Sequence, residues 1–188
     1  ISVLPGVQLP EQSRSSLTAG EIIPPKIAIS GGKTYQNNVL VDGVSNNNLM
    51  DPESDDPTSI ISVPAHPESL FLNTRLVEDI TLYRYNVPAS LGSFTGGVVD
   101  IKTRQPSPVF FGELTYRTTS DKWTDFHIDR ETKEEFNDST GSKFQPEFSR
   151  HDGGFLLNVP INQDLRLLTS YQISYSEIPL THLSENKY

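Results

Sequence analysis

The sequence predicts a mainly β protein in two parts, a small mixed-sheet domain followed by longer antiparallel strands. Three observations lead to this prediction. Residues 77–103 contain a run of β-branched and aromatic side chains, a turn with Pro88 and paired glycines, and a second apolar run, as in strand, turn and strand. Residues 105–108 (Gln-Pro-Ser-Pro) break the pattern. Beyond them, apolar and polar residues alternate, which indicates strands with two different faces.

Composition excludes several classes of function. The 188 residues carry a formal net charge of −9, which argues against nucleic acid or anionic lipid as the main partner. The chain has no cysteine, so disulfides and thiolate metal sites are excluded. It contains no run of about eighteen apolar residues, so we predict no transmembrane helix.

The first part is expected to contain several short strands. Residues 27–29 and 39–41 are apolar, and Asp42-Gly43 directly after the second run predicts a hairpin-type turn. Residues 1–26 are mostly irregular in pattern, and the sequence leaves open whether they form a loop or an ordered segment.

Two stretches before residue 77 are expected to differ in structure. Residues 45–58 are rich in asparagine, acid and proline, and the spacing of the acids lacks the glycine of a calcium-binding loop, so we predict a solvated acidic loop. Residues 60–63 fit a short strand. Residues 67–77 are predicted to form a short helix, because a proline and an acid stand at the start. The acids of the loop are Asp51, Glu53, Asp55 and Asp56.

The second part is predicted to contain three strands, at 110–118, 154–161 and 165–175, with a long polar stretch after the first and a short turn after the second. Alternation over roughly ten residues matches the length that a tilted strand needs to cross a bilayer. Long outer loops and short inner turns are typical of outer-membrane barrels. The alternative is an antiparallel sheet with one wet face in a soluble domain.

No catalytic site stands out in the sequence. The four histidines are scattered without metal-ligand spacing. Residues 31–34 (Gly-Gly-Lys-Thr) are similar to the end of a phosphate-binding loop, but the earlier glycine is missing. We therefore predict no metal, no cofactor and no enzymatic activity.

Three motifs, in order, resemble the plug domain of TonB-dependent outer-membrane transporters. The first is Leu-Pro-Gly-Val at 4–7. The second is Ile-Ala-Ile-Ser-Gly at 27–31 with Val-Asp-Gly-Val at 41–44. The third is the stretch 77–103, with Leu-Gly at 91–92 and Gly-Gly-Val-Val at 96–99. Together they cover roughly the first 105 residues.

The resemblance implies a mainly β architecture, in which an α+β plug is followed by the first antiparallel strands of a transmembrane β-barrel. Residues 1–105 would form the plug, and residues 106–188 the first three strands, with a long extracellular loop at about 119–153. The plug would lie within the barrel on the periplasmic side of the cell outer membrane. Because three strands cannot close a barrel, we expect the N-terminal part of a longer protein.

The family also implies a function and partners. Such a transporter binds a scarce nutrient (an iron chelate, cobalamin or a glycan), and the TonB inner-membrane complex drives a rearrangement of its plug. The implied partners are that substrate, the TonB complex and outer-membrane lipid, with no nucleic acid.

Candidate ligand contacts lie in two polar loops that the family would place at the top of the plug. Amides and a tyrosine suit hydroxyl-rich or chelate ligands, although both loops would also be read as solvated. Arg84 falls where the family's plug often carries an arginine that pairs with barrel carboxylates; otherwise it is an exposed charge. The loop residues are Lys33, Tyr35, Gln36, Asn37, Asn46, Asn47 and Asn48.

Two alternatives from other functional classes remain open. The first is a soluble, exported β-rich binding or adhesion domain. The second is a carbohydrate-active enzyme that uses paired carboxylates from the acidic cluster at 129–135.

Overall fold

The computed structural model describes residues 5–10, 15–50, 66–125, 127–129, 131–139 and 144–179. None of the helices in these ranges is long and apolar enough to span a membrane. The described part contains one α-helix, α1 (Lys133–Asp138), and the strands β1 (Val7–Gln8), β2 (Ala28–Ile29), β3 (Asn38–Val41), β4 (Val44–Ser45), β5 (Val77–Tyr83), β6 (Val98–Thr103), β7 (Phe111–Ser120), β8 (Ser149–Pro160) and β9 (Arg166–Glu177).

The chain divides into two compact units. The first comprises the described residues within 1–10, 24–111 and 156–170, and the second those within 11–23, 112–155 and 171–188. Strands β7, β8 and β9 contribute residues to both units.

A four-stranded mixed sheet organises the first unit. Its strand order is β4-β3-β6-β5, with β3 parallel to β6 and the other pairs antiparallel. Strands β5 and β6 pair over their length, so the strand, turn and strand predicted for 77–103 is confirmed. The turn predicted at Asp42-Gly43 is also confirmed, because φ is +49° and +83° at these residues and β3 pairs with β4 across them.

The apolar core of this unit is small. Ile29, Val39 and Val99 are buried together, and a few half-buried side chains pack around them. Close approach of the backbone helps to fill the space: a Cβ at Gly97 would stand 2.6 Å from Ile29 Cγ2. Separately, β1 pairs with β2 through only two residue pairs.

Strands β7, β8 and β9 form a three-stranded sheet in that order. Ring contacts run in opposite directions along β8 and β9, since His151 stacks with Tyr175 and Phe155 with Tyr171. The two strands are therefore antiparallel. One face of the sheet is apolar and exposed, and it includes Phe110, Leu114, Tyr116, Phe155, Leu167, Tyr171, Ile173 and Tyr175.

The second barrel-type strand begins earlier than predicted, at Ser149 and not at 154. Residues 149–152 show no apolar alternation, because their side chains are polar. They are accommodated by bonds to one another and to β9: the Arg150 guanidinium binds the Asp152 carboxylate, which also accepts a hydrogen bond from Ser174. The strand therefore includes polar residues that show no strand pattern in the sequence.

The helix predicted for 67–77 is wrong. The described residues show only a short 3₁₀ turn at Thr74–Leu76 before β5 begins at Val77. The backbone around Leu70 does not bond along itself, because the Asn46 amide binds both its N–H and its carbonyl. The predicted acidic loop with Asp51, Glu53, Asp55 and Asp56, and the predicted strand at 60–63, lie outside the described residues apart from the first residues of that loop.

Candidate functional site

Two of the asparagines that the sequence marked as ligand contacts join the loop after β4 to residues 66–70. The Asn46 side chain donates from Nδ2 to the Leu70 carbonyl at 2.8 Å and accepts from the Leu70 N–H at 3.0 Å. The Asn48 Nδ2 donates to the His66 carbonyl at 3.0 Å. Each side-chain amide therefore links the two loops by hydrogen bonds to main-chain groups.

Asn47 and Asn37 continue the same network toward the mixed sheet. Asn47 accepts the Val39 N–H at 2.9 Å and donates to the Asn37 carbonyl at 3.1 Å. The Asn37 Nδ2 in turn donates to the carbonyls of Ile27, at 2.8 Å, and Thr34, at 3.1 Å. Four of the seven predicted site residues are thus brought together, with amides that bind the backbone of their own domain.

The third group of predicted residues lies on the 3₁₀ turn Thr34–Gln36. The Gln36 Oε1 accepts the Lys33 N–H at 2.9 Å, which fixes the start of the turn. The Lys33 ammonium lies 5.3 Å from the centre of the Tyr35 ring, within cation–π range. Lys33 is exposed and Tyr35 is half-buried, so this pair presents a cation and a phenol at the surface of the turn.

Arg84 contacts residues of its own domain in this structure. Its guanidinium carbon lies 5.6 Å from the centre of the Tyr85 ring. It also packs on Gly6, where an added Cβ would stand 2.8 Å from Arg84 Nη1 and where φ is +79°. The pairing of Arg84 with barrel carboxylates stays a prediction.

His66 is a polar residue whose role the sequence did not indicate. It is 8% exposed, its Nε2 lies 3.0 Å from the Pro24 carbonyl, and its Nδ1 accepts the Glu68 N–H at 3.1 Å. Burial lowers the pKa of His66; the Pro24 hydrogen bond raises it and the Lys26 charge lowers it further. Burial also raises the pKa of the Glu68 carboxyl. The only signal in the sequence was a histidine directly before a proline.

Within the described ranges, no group of three or more metal-binding side chains comes together. The network around the asparagines therefore offers amide, phenol and ammonium groups as its chemistry. These groups are suited to hydrogen bonding of an uncharged or anionic ligand.

Known proteins are similar to this chain in sequence and in fold. The chain is 34% identical over 168 residues to the uncharacterized protein YddB of Escherichia coli strain K12, an alignment that covers 86% of this chain and 20% of YddB. The crystal structure of the outer membrane transporter YddB from Escherichia coli matches with a TM-score of 0.77 and 31% identity, over 94% of this chain and 23% of that one. The predicted resemblance to TonB-dependent outer-membrane transporters is confirmed.

The match to the YddB crystal structure confirms the predicted fold class, a β-rich plug followed by barrel strands. The outer membrane transporters and receptors among the structural neighbours support an outer-membrane location. The siderophore receptor PirA from Acinetobacter baumannii has the same fold, with a TM-score of 0.53 and 20% identity over 90% of this chain. No protein-family model matches the chain. The chain spans about a fifth of the length of the YddB protein that it matches, 20% of the sequence.

Proposed function

We propose that the protein to which this chain belongs is a TonB-dependent outer-membrane transporter or receptor. The observation that carries the proposal is the extent of the YddB match, since 94% of this chain superimposes on an outer membrane transporter at 31% identity. We place the plug at 1–105 and the first three barrel strands at 106–188, with the extracellular loop at about 119–153. This assignment makes the protein a transporter and not an enzyme.

The polar construction of the plug supports a transport mechanism based on rearrangement. Its buried apolar core is limited to a few side chains, whereas asparagine amides hold its loops. Hydrogen bonds of this kind each contribute only about 0.5–1.5 kcal/mol net, because water replaces them when they open. We propose that the plug rearranges by exchanging such bonds with water when the TonB complex acts on it.

The substrate would be a scarce nutrient: an iron chelate, cobalamin or a glycan. We propose that the ligand touches Lys33 and Tyr35, with Gln36 holding their turn. We propose further that Asn37, Asn46, Asn47 and Asn48 border the ligand and hold the second loop in place. The arrangement of a cation beside a phenol on a fixed turn supports this division.

The proposal is tested by uptake into cells that carry the full-length protein, with and without a working TonB complex. Growth limited in turn by iron chelates, cobalamin and glycans identifies the substrate, and radiolabelled uptake then quantifies transport. We expect uptake of one substrate to need both the protein and TonB. Uptake that persists without TonB, or the absence of any outer-membrane pool of the protein, would contradict the proposal.

Site residues are tested with a matched pair of tyrosine variants, by measuring how tightly the full-length protein binds the substrate that the uptake assay identifies. Tyr35→Phe should weaken binding of a hydroxyl-rich or chelate ligand about 5- to 30-fold, because it removes one hydrogen bond to the ligand. Tyr85→Phe, in the same domain but outside the turn, should leave binding unchanged. Equal affinities for all three proteins would contradict the placement of the ligand at Tyr35.

A further inference from the structure

A short segment of the N-terminal region binds β8, β9 and the residues just before β8 through its main-chain carbonyls. This segment, residues 17–21, is called the latch segment below, and it belongs to the same compact unit as parts of β8 and β9. Three of its carbonyls accept hydrogen bonds: Leu17 from the Gln145 N–H at 2.7 Å, Gly20 from the Ser176 hydroxyl at 2.5 Å, and Glu21 from Arg150 Nη1 at 2.7 Å.

The arginine in this set is held in place before it meets the latch segment. Arg150 Nε and Nη2 donate to the two carboxylate oxygens of Asp152, at 2.9 and 3.2 Å. The Ser174 hydroxyl donates to the same carboxylate at 2.7 Å. A bidentate pair of this kind orients the guanidinium, so that an N–H on Nη1 points at the Glu21 carbonyl without further loss of entropy.

The latch segment also fits a space that only a glycine can occupy. Gly20 is buried, and an added Cβ would stand 2.9 Å from Phe148 Cβ and 3.0 Å from Ile178 Cγ1. The side chains around Gly20 leave no room for a Cβ, so the backbone of the latch segment packs closely against them at a residue that must be glycine.

We propose that the latch segment is mechanically part of the barrel and stays bound to it when the mixed sheet of the plug opens. The strands on either side of the latch segment are joined by a short ladder. In the described residues, β1 and β2 pair through Val7↔Ile29 and Gln8↔Ala28, and the Ser30 N–H donates to the Gly6 carbonyl at 2.9 Å. Under a pull from the N-terminal side, β1 separates from β2 first, and the latch segment then stops the opening. The pull rests on the proposed function; the anchorage does not.

The experiment measures hydrogen exchange by mass spectrometry on the full-length protein in outer-membrane vesicles, at increasing urea and without substrate or TonB. The main-chain amide (N–H) of Gln145 is the direct reporter, because it donates to the Leu17 carbonyl. Peptides from β3 and β6 report the plug sheet. We expect the Gln145 amide and residues 15–23 to remain protected at urea concentrations where the sheet peptides already exchange.

Variants separate the latch from general barrel stability. Arg150→Gln should speed exchange of the Gln145 amide by about tenfold or more, the scale of one charge-assisted hydrogen bond. Arg166→Gln, the same change at an exposed position of β9, should not alter it. Where Arg150→Gln fails to insert in the membrane, Ser176→Ala and Gly20→Ala test the other contacts with the same readout.

The proposal is overturned if residues 15–23 and the sheet peptides of the unmodified protein begin to exchange hydrogen at the same urea concentration. It is also overturned if the Gln145 amide exchanges at the same rate in the unmodified, Ser176→Ala and Gly20→Ala proteins. Loss of uptake alone would bear on transport and not on the latch.

Discussion

At the scale of single residues, Gly97 sets the distance between β6 and the core of the plug. An added Cβ would stand 2.6 Å from Ile29 Cγ2 and 2.9 Å from the Tyr83 carbonyl. We predict that Gly97→Ala destabilises the plug by about 1–3 kcal/mol, the usual range for overpacking. The measurement is the urea midpoint at which the β3 and β6 peptides begin to exchange hydrogen.

Gly92 provides the matched control for this substitution. An added Cβ there would meet no atom within 4 Å, and its φ is not positive. Gly92→Ala should therefore leave the midpoint within about 0.5 kcal/mol of the unmodified protein. Equal effects of the two substitutions would show that close packing at Gly97 is not what stabilises the sheet.

We predict that His66 makes the stability of the plug depend on pH. Its Nδ1 accepts the Glu68 N–H, so the neutral ring must carry its proton on Nε2, which donates to the Pro24 carbonyl. The pKa of His66 is lowered from 6.5, mainly by burial. A lowered pKa means that its contribution to stability is present above pH 6.5 and is lost as the pH falls through the folded value.

The test compares urea midpoints of the plug at pH values above and below 6.5, the ordinary pKa of His66. We predict a lower midpoint on the acid side, and a smaller pH effect in His66→Gln. Glu68, whose pKa is raised by burial, opposes this trend, because its contribution grows on acidification. The difference between the unmodified protein and His66→Gln isolates the histidine. His127→Gln, in the exposed loop, serves as control; if it changed the pH effect as much, the assignment to His66 would fail.

At the scale of elements, we propose that the exposed apolar face of β7, β8 and β9 is the face that meets lipid. Leu114 is 85% exposed on this face. We predict that Leu114→Lys costs up to about 2–4 kcal/mol of barrel stability, as for a charge in the apolar band of an outer-membrane barrel. Glu113→Lys, the neighbouring residue on the other face, should cost much less. The folded fraction after transfer to lipid vesicles, read as heat-modifiable mobility on a gel, measures both; equal losses would contradict the lipid assignment.

Asn158 holds the connection between β6 and β7 against β8. It is fully buried, and its Nδ2 donates to the carbonyls of Ser107, at 2.9 Å, and Val109, at 2.7 Å. Asn158→Asp removes both donors and places an acceptor against two carbonyls, so we predict a loss of about 1–3 kcal/mol. Gln163→Glu, the same chemical change in an exposed turn, should be neutral. Denaturant midpoints in detergent measure the two variants, and an unchanged midpoint for Asn158→Asp would contradict this role.

Elements whose signals are local were predictable from the sequence. The Asp42-Gly43 turn needs positive φ at both residues, and the dipeptide Asp-Gly is one that favours this conformation. Strands β5 and β6 were predictable because each carries its own β-branched and aromatic pattern.

Features that depend on distant partners were not predictable. The helix expected at 67–77 fails because Asn46, more than twenty residues away, binds the backbone at Leu70. The parallel pairing of β3 with β6 and the early start of β8 also depend on residues far along the chain. The same holds at the candidate site: the asparagines were visible as polar loop residues, but their side-chain bonds to the backbone of other residues were not.

At the scale of the whole molecule, the two parts of the chain differ in where their apolar side chains lie. The plug has a small core with loops held by amide bonds, and the barrel strands expose a continuous apolar face. A closed barrel requires many more strands than three, since open edges in lipid leave backbone groups unpaired. We therefore propose that this chain is part of a longer outer-membrane protein, because its alignment covers only 20% of YddB.

The most direct test of this claim is the mass and location of the native polypeptide. Membranes from the source are fractionated, and the outer-membrane fraction is run on a denaturing gel with and without heating, followed by peptide mapping. We expect a heat-modifiable outer-membrane polypeptide several times longer than 188 residues that contains the peptides of this chain. A soluble polypeptide that ends near Tyr188 would contradict it and would favour an exported binding domain.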